Sequence, residues 1–205
     1  MFIVITGLDG SGTSTVAKKL HELDNNSFLV KTPSIEYSDR DSIDQSVRDT
    51  SQLAHYFYYL SSVIYMSDYI KNNFDYKKNN VYCVRYLIDT VVSHQVAGLN
   101  VELDYETLNI LKPDKTIFVG LEETLRQQRI TKRGKSVLDK VLDDDTKRQE
   151  FLDRFKALLK EEDTIYFDNA NFNVTENVIS LYEMIKKGGL WLCCTRIYYY
   201  LMRVV

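Results

Sequence analysis

The first fifteen residues constrain the fold more than any other stretch. Phe2-Ile3-Val4-Ile5-Thr6 is an apolar, largely β-branched run. Gly7-Leu8-Asp9-Gly10-Ser11-Gly12-Thr13-Ser14-Thr15 follows it without a break, and Val16, Ala17, Leu20 and Leu23 then recur at helical spacing. A buried strand, a glycine-rich turn and a helix in that order make a phosphate-binding loop. Gly7, Gly10 and Gly12 let the backbone bend sharply and bring bare N–H groups to an anion. The helix behind the loop adds its positive end. Ser14 stands where the pattern G-x-x-x-x-G-K-[ST] places a hydroxyl for Mg²⁺. Thr13 stands where that pattern has lysine, so a donor is kept and a charge is lost.

The remaining chain supports one α/β domain. Its 205 residues suffice for a full core, and 44% hydrophobic with 27% charged residues is a globular composition. A net charge of −3 argues against a general nucleic-acid binder. Cys83, Cys193 and Cys194 lack metal-ligand spacing, and a reducing cytoplasm fits them. The N-terminus reads as a strand and not as a signal peptide, and no apolar run is long enough to span a membrane.

Along the chain, Thr13 to Leu23 reads as a helix that ends at the turn Asp24-Asn25-Asn26. Ser27 to Lys31 reads as a second strand, stopped by Pro33. Ligands of parallel sheets bind beyond the carboxyl ends of the strands, so Lys31 to Ser34 is either a substrate wall or a plain loop. Residues 35 to 50 are polar and read as a surface segment with a turn of helix. Ser51 to Phe74 reads as one long tyrosine-rich helix with Leu53, Phe57, Leu60, Ile64 and Ser67 at helical spacing and Tyr56, Val63 and Ile70 alongside. Its broad apolar face suits core packing or a subunit contact.

Val81 to Val84 reads as a third strand that runs into Arg85, whose guanidinium can grip two phosphate oxygens or serve in a surface ion pair. A helix with Leu87, Val91 and Val96 follows. Tyr105 to Leu111 reads as a short helix stopped by Pro113, and Lys115 to Gly120 as a fourth strand. Leu121 to Arg133 reads as a helix with Arg126, Arg129 and Arg133 on one face. That face is either solvated or a lid that closes on polyphosphate. Asp143-Asp144-Asp145 opens a helix running to about Glu161. Thr164 to Phe167 is a fifth strand, and Asn173 to Ile185 is the last helix. The apolar tail from Gly188, with Trp191, reads as a docked segment, an interface or a membrane-surface helix. Strands alternating with helices imply a parallel sheet with helices on both faces.

With these segments placed, residues 2 to 187 resemble the thymidylate kinase family. Gly7 to Thr15 matches the family's Gly-Leu-Asp-Gly-x-Gly-Lys-Ser-Thr apart from Thr13. Lys31-Thr32-Pro33 stands at its Arg-Glu-Pro. Val84-Arg85-Tyr86, followed by Asp89-Thr90 and Ser93-His94, stands at its Asp-Arg-Tyr and the next helix. Pro113-Asp114-Lys115-Thr116 matches Pro-Asp-x-Thr, and Arg129, Arg133 and Gly134 match the lid. The family's base-reading arginine falls at Val63, its aromatic gate at Ser93, and the aspartate of Asp-Arg-Tyr at Val84.

The resemblance implies a three-layer P-loop NTPase fold with a five-stranded parallel sheet. It places a kinase domain over residues 1–187, with a lid at about 126–145 and a tail at 188–205. It implies ATP and Mg²⁺ as cofactors, a nucleoside monophosphate such as dTMP as acceptor, and a homodimer built on the long helix. Gly7, Asp9, Gly10, Ser11, Gly12, Thr13, Ser14 and Thr15 would cradle the ATP phosphates, with Ser14 and Asp9 at the metal. Lys31, Pro33, Arg85, Tyr86, Asp89, Thr90 and His94 would line the acceptor site. Arg85, Asp9, Arg129 and Arg133 would carry the transfer, with Lys31 a further replacement for the missing loop lysine. Two rival readings stay open: a nucleotide-binding module of little activity, and a deoxynucleoside kinase with Asp89 as base.

Overall fold

A computed structural model describes residues 1–170 and 174–186 of the chain. The strands are β1 (Phe2–Thr6), β2 (Ser27–Lys31), β3 (Asn80–Val84), β4 (Lys115–Gly120) and β5 (Thr164–Asp168). They form one sheet in the order β2-β3-β1-β4-β5, and every pair is parallel. The order reverses around β1, so the loop after β1 lies at the switch point where open parallel sheets bind ligands.

Helices cover both faces: α1 (Thr13–Leu23), α2 (Gln52–Asn73), α3 (Leu87–Val96), α4 (Glu123–Arg133), α5 (Val137–Val141), α6 (Asp145–Leu158) and α7 (Val174–Lys186). β1 alternates between two cores, as a strand of period two must when both faces are covered. Phe2 and Val4 pack with Tyr56, Leu60, Val63 and Ile70 of α2. Ile3 and Ile5 pack with Val16, Ala17 and Leu20 of α1 and Val178 and Leu181 of α7. A third cluster joins Val92 and Val96 of α3 to Phe151 and Phe155 of α6. This is the P-loop α/β architecture expected.

Several elements differ from the sequence reading. In α2 the buried stripe is Tyr56, Leu60, Val63, Met66 and Ile70, while Leu53 and Phe57 are 52% and 56% exposed. The helix is apolar nearly all round, so periodicity alone did not fix which face meets the sheet. Tyr105 to Leu111 is a hydrogen-bonded turn and not a helix, because Asn109 takes φ +50° and Leu111 N–H leaves the segment for Ser67 Oγ at 2.8 Å. Residues 35–50 are four successive helical turns, with a π turn at Ile43–Val47. The helix α5, within residues 126–145, has no counterpart in the sequence reading. α6 ends at Leu158, three residues short of the expected end. The apolar tail with Trp191, Cys193 and Cys194, and the start of the last helix at Asn173, lie outside the described residues.

Candidate active site

The loop after β1 turns at three points where no side chain fits. Gly7, Gly10 and Gly12 have φ of +149°, +85° and +100°. A Cβ on Gly10 would lie 2.7 Å from Ile130 Cγ1, and one on Gly12 2.5 Å from Asn169 Nδ2. The loop carbonyls are held from behind. Arg126 Nη1 donates to the Asp9 carbonyl at 2.9 Å, and Asn169 Nδ2 donates to that of Ser11 at 2.7 Å. The first-turn N–H groups of Thr13, Ser14 and Thr15 have no intrahelical acceptor and remain available to an anion. Ser14 and Thr15 are exposed at the helix mouth, whereas Thr13 is buried.

Arg85 stands at the tip of β3 in a left-handed conformation, φ +67°, which a non-glycine residue adopts at a cost of about 1 kcal/mol. Its Nη2 donates to Asp9 Oδ1 at 2.6 Å and its Nη1 to Asp89 Oδ1 at 2.6 Å. Nη1 also donates to the Gly7 carbonyl. Asp89 accepts further from Thr6 Oγ1 at 2.7 Å and Tyr86 N–H at 3.0 Å. Burial works against the guanidinium charge, and Asp89 and Asp9 more than offset it, so the net effect raises its pKa. A guanidinium has five N–H donors, and these three bonds leave Nε–H and one Nη2–H free.

The expected lid arginines have three different jobs. Arg126 is 1% exposed behind the loop and pairs with Glu123 at 2.6 Å. Arg129 reaches the loop itself, with Nη1 3.2 Å from the Ser11 carbonyl. Arg133 is paired with the fully buried Asp139 at 2.9 Å. Lys31 is exposed at the end of β2, the edge strand, two strand spacings (roughly 10 Å) from β1.

A cleft with an interior volume of about 150 Å³ continues from Gly7 and Asp9 past Arg85. That is room for one aromatic ring. Pro33, Tyr86, Asp89, Thr90 and His94 line it, and Phe151 and Phe155 form an apolar wall. The sequence reading missed Arg40, Asp44, Arg48, Gln52, His55 and Tyr59, which line the same cleft. It also missed Asn169, whose place just after β5 at the sheet's carboxyl edge was the available signal.

His94 is 2% exposed, with Nδ1 2.7 Å from the Thr90 carbonyl and Nε2 2.7 Å from His55 Nδ1. Burial pushes its pKa down from 6.5 to about 4, helped by His55 and opposed by the bond to Thr90. The folded state therefore resists a proton that the unfolded chain accepts. This neutral histidine is without penalty above about pH 6.5, and stability falls as the pH drops from there toward 4, by about 3 kcal/mol at most. Thermal melts should show a smaller loss between pH 7 and pH 4 in His94→Gln than in the parent. Equal slopes would contradict this assignment.

A strand–glycine loop–helix cradle, an arginine fixed at the neighbouring strand tip and a helix whose arginines reach the loop define a P-loop nucleotide kinase. Residues 5–181 match the family model described as thymidylate kinase, and the chain belongs to that family. Its fold is similar to a thymidylate kinase from Candida albicans, at 18% identity over 92% of each chain with a TM-score of 0.68. It is also similar to one from Ehrlichia chaffeensis, at 17% identity over 90% of this chain and 98% of that one, with a TM-score of 0.61. No curated protein matches the chain in sequence. Family membership makes the activity ATP-dependent phosphoryl transfer of the thymidylate kinase type.

Proposed function

We propose that the chain passes the γ-phosphoryl group of ATP to the 5′-phosphate of a deoxynucleoside monophosphate such as dTMP, with Arg85 holding the acceptor. The carrying observation is the Arg85 guanidinium, locked between Asp9 and Asp89 with two donors to spare where the loop opens into the cleft. The acceptor phosphate is ionised already, so no base is required and catalysis is positioning plus charge stabilisation.

The residues suit the cofactors. The amides from Gly10 to Thr15 would bind the donor phosphates on a loop packed so closely from behind that Gly10 and Gly12 admit no Cβ. The exposed Ser14 hydroxyl and the Asp9 carboxylate oxygen not used by Arg85 would hold Mg²⁺. When bound, that ion neutralises charge building on the transferred group. Arg129 supplies beside Gly12 the positive charge that Thr13 lacks. Arg133 holds the lid turn through Asp139.

Asp89 is poorly placed as a base for a deoxynucleoside kinase, because Thr6, Arg85 and Tyr86 already occupy its two carboxylate oxygens. The test is ADP formation from Mg·ATP with a panel of monophosphates and the matching nucleosides. Turnover with dTMP or another monophosphate is expected; turnover with nucleosides alone overturns the proposal. We further assign a homodimer contact to the outer stripe of α2, where Leu53 and Phe57 are exposed a turn apart. Sedimentation should show a dimer that Phe57→Glu dissociates, and an unchanged profile would refute that contact.

A further inference from the structure

Three side chains from three separate elements join under the acceptor end of the cleft. Asp44 lies in the segment 39–50, His55 in the first turn of α2 and His94 in the last turn of α3. His55 Nε2 is 2.8 Å from Asp44 Oδ1, and His55 Nδ1 is 2.7 Å from His94 Nε2. Tyr59 Oη–H donates to the same Asp44 oxygen at 2.7 Å. The Thr90 carbonyl can only accept, so His94 Nδ1 carries its proton and His94 Nε2 accepts from His55. A carboxylate also only accepts. His55 therefore bridges the two, with Nδ1 toward His94 Nε2 and Nε2 toward the Asp44 carboxylate. Burial opposes ionisation of Asp44, but its bonds from His55 and Tyr59 prevail and hold its pKa below the usual value.

This anchorage stands out because the segment has little else. No residue from 35 to 50 is buried. Its remaining side-chain ties to α2 include Tyr58 Oη–H to the Tyr37 carbonyl at 3.1 Å and Gln52 Nε2–H to that of Arg48 at 3.0 Å. The π turn at Ile43–Val47 bulges the backbone at Asp44 itself, a distortion often found at functional sites. The same segment carries Arg40 and Arg48 onto the cleft wall that Arg85 shares.

We propose that the Asp44–His55–His94 chain is a latch that holds the 39–50 segment, with Arg40 and Arg48, in place over the bound acceptor nucleotide. The inference rests on the kinase reading above. Asp44, His55 and His94 are positioning residues and do not touch the reacting atoms. The latch acts on acceptor binding and leaves the loop that holds ATP alone.

Asp44→Asn tests it, because the amide keeps the shape at a half-buried position and the fold survives. Initial rates should show the KM for dTMP raised about tenfold or more, with the KM for ATP and the saturated kcat within about threefold of the parent. Trypsin cleaves after arginine, and cutting after Arg40 and Arg48 should speed up about tenfold in Asp44→Asn. Tryptic cutting at the parent's rate, or a parallel rise in both KM values, overturns the latch. If the parent transfers no phosphoryl group to any acceptor, the kinase reading fails by itself. The tryptic rates then still decide whether Asp44 holds the segment.

Discussion

Replacing Arg85 by alanine lowers the turnover of phosphoryl transfer by about 10³-fold, because it removes the donors that hold the acceptor and stabilise charge in the transition state. The reason is geometric. The guanidinium is held by two carboxylates at 2.6 Å each and by the Gly7 carbonyl, on a backbone at φ +67°. Arg85→Ala also leaves Asp9 and Asp89 facing one another without a cation, and stability should fall by about 2 kcal/mol. Arg85→Gly separates the two effects. It is as inactive, since activity needs the guanidinium, but it relieves the left-handed backbone and should melt above Arg85→Ala. Steady-state rates and thermal melts of the two variants check both halves. An Arg85→Ala enzyme within tenfold of the parent would remove Arg85 from the site.

Replacing Arg129 by alanine lowers kcat by about 10²-fold, whereas Arg133→Ala acts mainly on stability. Both lie on α4, yet only Arg129 reaches the loop, 3.2 Å from the Ser11 carbonyl and 3.2 Å from where a Gly12 Cβ would stand. With Thr13 in the loop, Arg129 is the α4 cation proposed to act on the phosphates. Thr13→Lys in the Arg129→Ala background should therefore restore a large part of the lost rate. Equal losses in Arg129→Ala and Arg133→Ala, with no recovery from Thr13→Lys, would show that the charge comes from elsewhere.

The phosphate half of the site was legible in the sequence because it is contiguous. Strand, glycines and helix follow one another from Phe2 to Leu23, so the loop shows in the local sequence, although Arg126 and Asn169 hold it from far along the chain. β2 and β4 were legible for a similar reason, as short apolar runs bounded by turn residues. The candidate acceptor half was legible only in part: Pro33, Arg85, Tyr86, Asp89, Thr90 and His94 could be named, while Arg40, Asp44, Arg48 and His55 could not. Asp44, His55 and His94 meet only once β1 and β3 pair and α2 and α3 pack on them, and nothing local marks a buried histidine from an exposed one. Spacing likewise put Arg126, Arg129 and Arg133 on one helix face but could not say that the first would be buried behind the loop. The exposed Leu53 and Phe57 teach the same lesson for α2, where a helix apolar on nearly every side has no periodicity to read.

The most direct measurement is the product itself. Mg·ATP and dTMP are incubated with the purified chain and followed by phosphorus NMR. The account predicts that dTDP and ADP appear together in equal amounts, that Arg85→Ala abolishes both, and that ATP without acceptor persists. ADP formed without dTDP or any other nucleoside diphosphate, or ATP left untouched with every monophosphate, would contradict it.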